Sequence, residues 1–156
     1  MTSWPLAELL PHAGDMILID RIESFDEEQI HAHLTVRAGG LFNRPDGSLP
    51  AWTGIELMAQ TVAAYAGCRA RQSGQPVELG FLLGTRKYEC AVDSFPLGAH
   101  LHIHAQRSLE DENGMGVFEC HLYGPGIHAT ARLNVFRPPQ AAAYLAEAGP
   151  EEFVHD

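Results

Sequence analysis

Positive charge is scarce in this chain: one lysine, Lys87, and nine arginines stand against twenty acidic residues, for a formal net charge of -10 at pH 7. That balance argues against nucleic acid as a partner, since general affinity for it depends on cations that neutralise phosphates. An acidic protein partner would need a local arginine patch, because the overall field repels it. Cysteine is equally sparse. Cys68, Cys90 and Cys120 lie far apart, a pattern of neither a disulfide scaffold nor a zinc knuckle, and they fit a reducing cytoplasm. The opening Met-Thr-Ser-Trp-Pro has no basic region followed by an apolar run, so no secretory signal is expected. No stretch offers the ~18 uncharged apolar residues of a membrane span. The most apolar one carries Glu56, Gln60, Arg69 and Arg71. A G-x-S-x-G nucleophile elbow and a phosphate loop are both missing.

What the chain does have is apolar mass. Hydrophobic residues make up 46% of the 156, enough for a core and far from disorder. One domain is expected over residues 1–137, followed by an acidic tail, 138–156, with a short Ala-rich helical piece. The longest helix-compatible run extends from Leu49 to Arg71 and closes near Gly74. Pro50 suits its first turn, and Ala, Leu, Met and Gln fill its interior with good helix formers. Ile55, Met58, Ala59, Val62, Ala63 and Ala66 keep the spacing of a buried face. Glu56 sits inside this segment with Gln60 one turn below, and no Lys or Arg lies three or four residues away. A carboxylate in such company is either solvent-facing or functional. At a helix start it would stand beside free N–H groups able to hold a substrate oxygen.

The remaining chain reads as strands. A helical turn over Leu6–Leu10 ends at Pro11, and Met16–Ile22 begins a strand. Residues Gln29–Val36 alternate as a half-buried strand, with His31 and His33 on the solvated side. A loop through Gly39–Ser48, rich in Gly, Pro, Asn and Asp, leads into the helix. Further strands are expected at Leu79–Ala91, Ala99–Arg107, Gly116–Tyr123 and Ile127–Phe136, with a hydrophilic hairpin turn at Glu110–Gly114. The result is an α+β fold: one long apolar helix, with about five or six antiparallel strands curled round it. Its open sheet edges favour a dimer. His100, His102 and His104 line one strand face, but neighbours along a strand are ~6.5 Å apart, too far for all three to hold one zinc. They too are expected to be solvated. His12, in a loop beside Pro11 and Gly14, is either a structural histidine or a catalytic one.

Three motifs carry a resemblance. Leu10-Pro11-His12 with Met16-Ile17-Leu18-Ile19-Asp20-Arg21-Ile22 is similar to an "LPH…LLIDRV" opening. Pro50 with Ile55-Glu56-Leu57-Met58-Ala59-Gln60 is similar to the "MPG…IEAMAQ" start of a central helix. Phe81-Leu82-Leu83-Gly84, Lys87-Tyr88 and Phe95-Pro96-Leu97-Gly98 resemble the strand pair that follows it. Together they resemble hot-dog-fold 3-hydroxyacyl-acyl-carrier-protein dehydratases, and more closely the small dehydratase-like proteins of aryl-polyene-type pigment clusters. The resemblance implies a cofactor-free lyase acting on acyl carrier protein, with sites at a homodimer or heterodimer interface; no metal is expected. It implies that Glu56 handles the departing hydroxyl and that the N–H groups near Ala51 and Trp52 polarise the thioester carbonyl. The acyl chain would run along Ile55, and Gln60 would hold Glu56 or pair across the dimer. The family's base is a loop histidine, but here that position falls at Phe42. The base is then supplied by a partner chain, or by His12, or the chain is a non-catalytic acyl-binding subunit. A thioesterase on the same fold is the other enzymatic reading.

Overall fold

A computed structural model describes residues 4–10, 16–75, 81–110 and 114–136, with side chains left aside at 81–83. His12, the tip of the expected hairpin turn and the acidic tail lie outside the described residues. Within them, the elements run α1 (Leu6–Leu9), β1 (Arg21–Phe25), β2 (Gln29–Thr35), β3 (Leu49–Pro50), α2 (Thr53–Gln72), β4 (Phe81–Cys90), β5 (Ser94–Phe95), β6 (His100–Glu110), β7 (Met115–Gly124) and β8 (Ile127–Phe136). Six strands form one antiparallel sheet in the order β1-β2-β6-β7-β8-β4, while β3 and β5 make a two-stranded accessory. The sheet wraps the single long helix, which is the hot-dog architecture expected from the sequence.

Strand alternation builds the core. Ile30, Ala32 and Leu34 of β2, Leu101, Ile103 and Ala105 of β6, Phe118, Cys120 and Leu122 of β7, and Ala129, Ala131 and Leu133 of β8 all point inward and are buried. From α2, the stripe Leu57, Met58, Thr61, Ala64, Tyr65 and Cys68 meets them, all buried. This is not the face expected from spacing: Ile55, Ala59, Ala63 and Ala66 are only half-buried, and of that set Met58 and Val62 alone are fully covered. The helix is apolar nearly all round, so periodicity cannot choose a face. Some polar groups of the helix take buried positions by finding backbone partners. Thr61 Oγ1, for instance, donates to the Leu57 carbonyl one turn back at 2.8 Å, whereas Thr53 Oγ1 is buried without a partner among the described residues.

Two other boundaries differ from expectation. Pro50 lies in β3, paired with Ser94, rather than in the first helical turn. The residue before a proline prefers extended backbone, and a two-stranded edge does not need the missing N–H. Residues Met16–Asp20 precede β1 instead of forming its start: Met16 and Leu18 bond Gln60 of the helix, while Asp20 bonds His33 and Thr35 of β2. The strand after α2 is one bulged strand, its register shifting between Arg86 and Glu89, with Lys87 at φ 55. Small residues permit the tight packing around α2. A Cβ at Gly67 would stand 2.2 Å from the Leu9 carbonyl oxygen, so α1 can lie on α2 only where that side chain is absent.

Candidate active site

Gln60 is the anchor at the amino-terminal half of α2. Its side chain is 0% exposed, and each polar atom has a partner. Its Oε1 accepts from Leu18 N–H at 2.8 Å, while Nε2 donates to the Met16 carbonyl at 2.6 Å and to Glu56 Oε1 at 3.1 Å. The same amide therefore fixes the segment before β1 and holds the carboxylate one turn above it. Of the two roles expected for Gln60, the structure shows the hold on Glu56. Glu56 itself is half-buried, neither sunk in the core nor fully in water.

The start of α2 is braced from β4. Tyr88 Oη donates to the Ala51 carbonyl at 2.5 Å, and burial pushes its phenol well above the usual tyrosine range. A Cβ at Gly54 would lie 2.3 Å from that hydroxyl, so glycine there is a requirement of the brace. The Ala51 N–H is taken by the Asp93 carbonyl at 3.0 Å, and those of Gly54 and Ile55 by the carbonyls of Ala51 and Trp52. The Trp52 N–H has no hydrogen-bond acceptor among the described residues. The Trp52 side chain is 56% exposed, and Phe42 meets its ring edge-on at 5.8 Å and 89°. At Phe42, where the resemblance implied the position of a loop histidine, the structure thus has an aromatic contact. Ile55 lies beside Glu56 on the half-buried face.

The loop before the helix bounds an open cleft of about 310 Å³, lined by residues including Ile17, Leu18, Asp20, Arg37, Leu41 and Leu49. Arg37 and Asp20 form an ion pair at 2.7 Å on its wall. Glu56 is not in that lining; its bond to Gln60, whose Oε1 accepts from Leu18, links it to the cleft. Sequence reasoning missed the bonds from Gln60 to Leu18 and Met16 and the brace made by Tyr88, which appears only when β4 is folded against the helix start. Cys68 and Cys120 are inert, their thiols pushed up to about 12 by burial.

The histidines differ most from expectation. His33 is buried, and His31, His102, His104 and His121 are half-buried. Pairing between strands brings them together: His33 faces His102, His31 faces His104, and His104 faces His121. Their rings stack, His33 on His102 at 4.6 Å and His31 on His104 at 4.4 Å. Burial and the neighbouring imidazoles hold His102 and His104 below the usual histidine range. All of this lies on the face of the sheet turned away from α2.

Comparison with known structures places the architecture. A chain of the dehydratase heterocomplex ApeI:P from Xenorhabdus doucetiae is 32% identical, with a TM-score of 0.81 over 89% of this chain and 94% of that one. The PaaI protein of the E. coli phenylacetic acid degradation operon shares 18% identity and a TM-score of 0.57, over 76% of this chain and 82% of its own. A hypothetical thioesterase protein with coenzyme A from Streptococcus pneumoniae TIGR4 shares 12% and 0.60, over 77% and 86%. The last two are alike in fold alone. A search of curated proteins gives no match. The profile of the ApeP-like family, described as ApeP dehydratase, matches residues 4–146. With nearly the whole chain so matched and its helix wrapped by the antiparallel sheet, this protein belongs to the ApeP-like family of hot-dog-fold dehydratases.

Proposed function

We propose that this chain removes water from 3-hydroxyacyl thioesters on acyl carrier protein, giving trans-2-enoyl thioesters, as one half of a two-chain hot-dog unit. The observation that carries the reading is Glu56 held by the buried Gln60 at the start of α2. In this scheme the thioester carbonyl rests against the Trp52 N–H, which like that of Thr53 has no acceptor among the described residues. Glu56, as general acid, gives its proton to the C3 hydroxyl, which leaves as water. A base takes the C2 proton, and those electrons form the C2–C3 double bond. Phe42 cannot be that base, and its packing against Trp52 leaves no room to treat the position as a displaced histidine.

A second hot-dog chain supplies the base. Three features support such a partner: the half-buried apolar face Ile55, Ala59 and Ala63, the open edge of β4, and the similar heterocomplex from Xenorhabdus doucetiae. Exposed Arg86 and Lys87 on β4 offer the cationic contact that an acidic carrier protein needs. Arg69 and Arg71 are turned to other tasks, bonding the carbonyls of Glu27 and Glu8. No helix among the described residues is long and apolar enough to cross a membrane. The three free thiols are in keeping with a reducing cytoplasm.

The test supplies 3-hydroxyacyl carrier protein to the pure chain, and then to the chain mixed with the ApeI chain of the similar heterocomplex. Enoyl product in the mixture alone is expected, with Glu56→Gln lowering kcat on the order of 10²–10⁴-fold. Enoyl product from the pure chain that disappears with His12→Ala would instead make His12 the base. Free thiol without enoyl product would overturn the reading in favour of a thioesterase, and full activity in Glu56→Gln would remove the acid.

A further inference from the structure

Seven of the nine histidines project from the outer face of the sheet, where no step of the proposed reaction uses them. Along one strand their spacing is too wide for a shared ion, but across strands it is not. Residues directly opposite each other have Cβ atoms about 4.5–5.5 Å apart, close enough for two imidazoles to converge. The register sets His33 of β2 opposite His102 of β6, and the bulge in β1 after Ile22 brings Glu23 beside them. His33 Nε2 already lies 2.8 Å from Glu23 Oε1. One ligand atom from each of Glu23, His33 and His102 falls within 4.8 Å of the other two. Ligands of a tetrahedral ion with bonds near 2 Å stand roughly 3.3–3.5 Å apart, so a small side-chain adjustment closes the set.

We propose that Glu23, His33 and His102 form a binding site for a divalent cation of the zinc class on the outer face of the sheet. Two imidazoles and one carboxylate are a zinc donor set, with water filling the fourth position. The supporting contacts are those a metal site needs. His33 Nδ1 is 3.1 Å from His100 Nε2, which orients the ring, and His102 Nε2 is 2.8 Å from His31 Nδ1. Coordination through His33 Nε2 replaces the proton shared with Glu23, and the neutral ring then carries its proton on Nδ1, facing His100. The ion ties edge strand β1 to β2 and β6, and it lies on the opposite side of the sheet from Glu56. Its effect is therefore on the stability of that edge rather than on the acid.

The experiment uses the full-length chain without an affinity tag, stripped with a chelator and titrated with zinc by calorimetry, with metal content measured after dialysis. One zinc per chain, bound at micromolar concentration, and a melting temperature raised by zinc are expected. Glu23 is exposed and His102 half-exposed, so Glu23→Gln and His102→Gln test the site without opening the core. Each should weaken binding by about tenfold or more. His128→Gln, at the far end of the same row, should leave it unchanged. Cobalt substitution should give the visible absorption of a tetrahedral ion, lost in His102→Gln. Absence of binding at micromolar zinc would overturn the site. So would binding that Glu23→Gln and His102→Gln leave intact, or that His128→Gln weakens equally.

Discussion

One strand shows two kinds of surface. On its inner side β6 presents Leu101, Ile103 and Ala105, each without exposure, and on its outer side His100, His102 and His104. The inner side is held by area removed from water, which is non-directional and gained wherever an apolar side chain is covered. The outer side is held by stacked rings and shared protons, which depend on what the neighbouring strand places opposite. A substitution on the inner face should therefore act through volume. On the outer face it should act through charge and partner geometry.

The largest effect should come from the inner face. Ile103→Ala leaves a cavity beneath α2 and should cost about 2–5 kcal/mol in urea unfolding, with the slope unchanged. Gln60→Leu comes next, at about 2–3 kcal/mol, because Leu18 N–H and the Met16 carbonyl lose their buried partner. It should also lower activity by releasing Glu56, whereas Ile103→Ala should spare kcat in the molecules that remain folded. Equal activity loss in both would erase the distinction between anchor and filler.

On the outer face the expected lever is pH. His102 and His104 titrate below the ordinary histidine range in the folded chain, so the unfolded chain takes up protons first as pH falls below about 6.5. Stability measured with chelator present should be highest above that value and fall on acidification. His104→Gln should flatten the slope, and an unchanged slope would show that the imidazoles are not responsible. The smallest effect is expected at His121, whose Nδ1 is buried without a partner among the described residues. His121→Phe keeps the ring stack and removes that nitrogen. It should leave stability within about 1 kcal/mol of the parent, on the favourable side.

The same contrast explains what could be read from the sequence. Ile127–Phe136 was legible to the residue because alternation and the flanking turns mark it. The long helix and the antiparallel wrap were legible too, as was the acid in the helix. The helix face was not, since an apolar rod lacks a preferred side until the sheet supplies one. The imidazole cluster was not either: reading along β6 gives the distance between His102 and His104, while the contact that matters runs to His33, 69 positions earlier in the chain. Pro50 shows the same limit locally, its preference for a helix start giving way to a pairing with Ser94.

The phenol of Tyr88 gives the enzyme reading a mechanical side. It hooks the rim of the sheet to the peptide just ahead of Trp52, whose amide is the proposed seat for the thioester oxygen. A companion chain settling along that rim would press on the hook and, through it, on the seat. Association and turnover would then share one lever about a side chain long, and loosening it with Tyr88→Phe should blunt the response to the companion before it harms the fold.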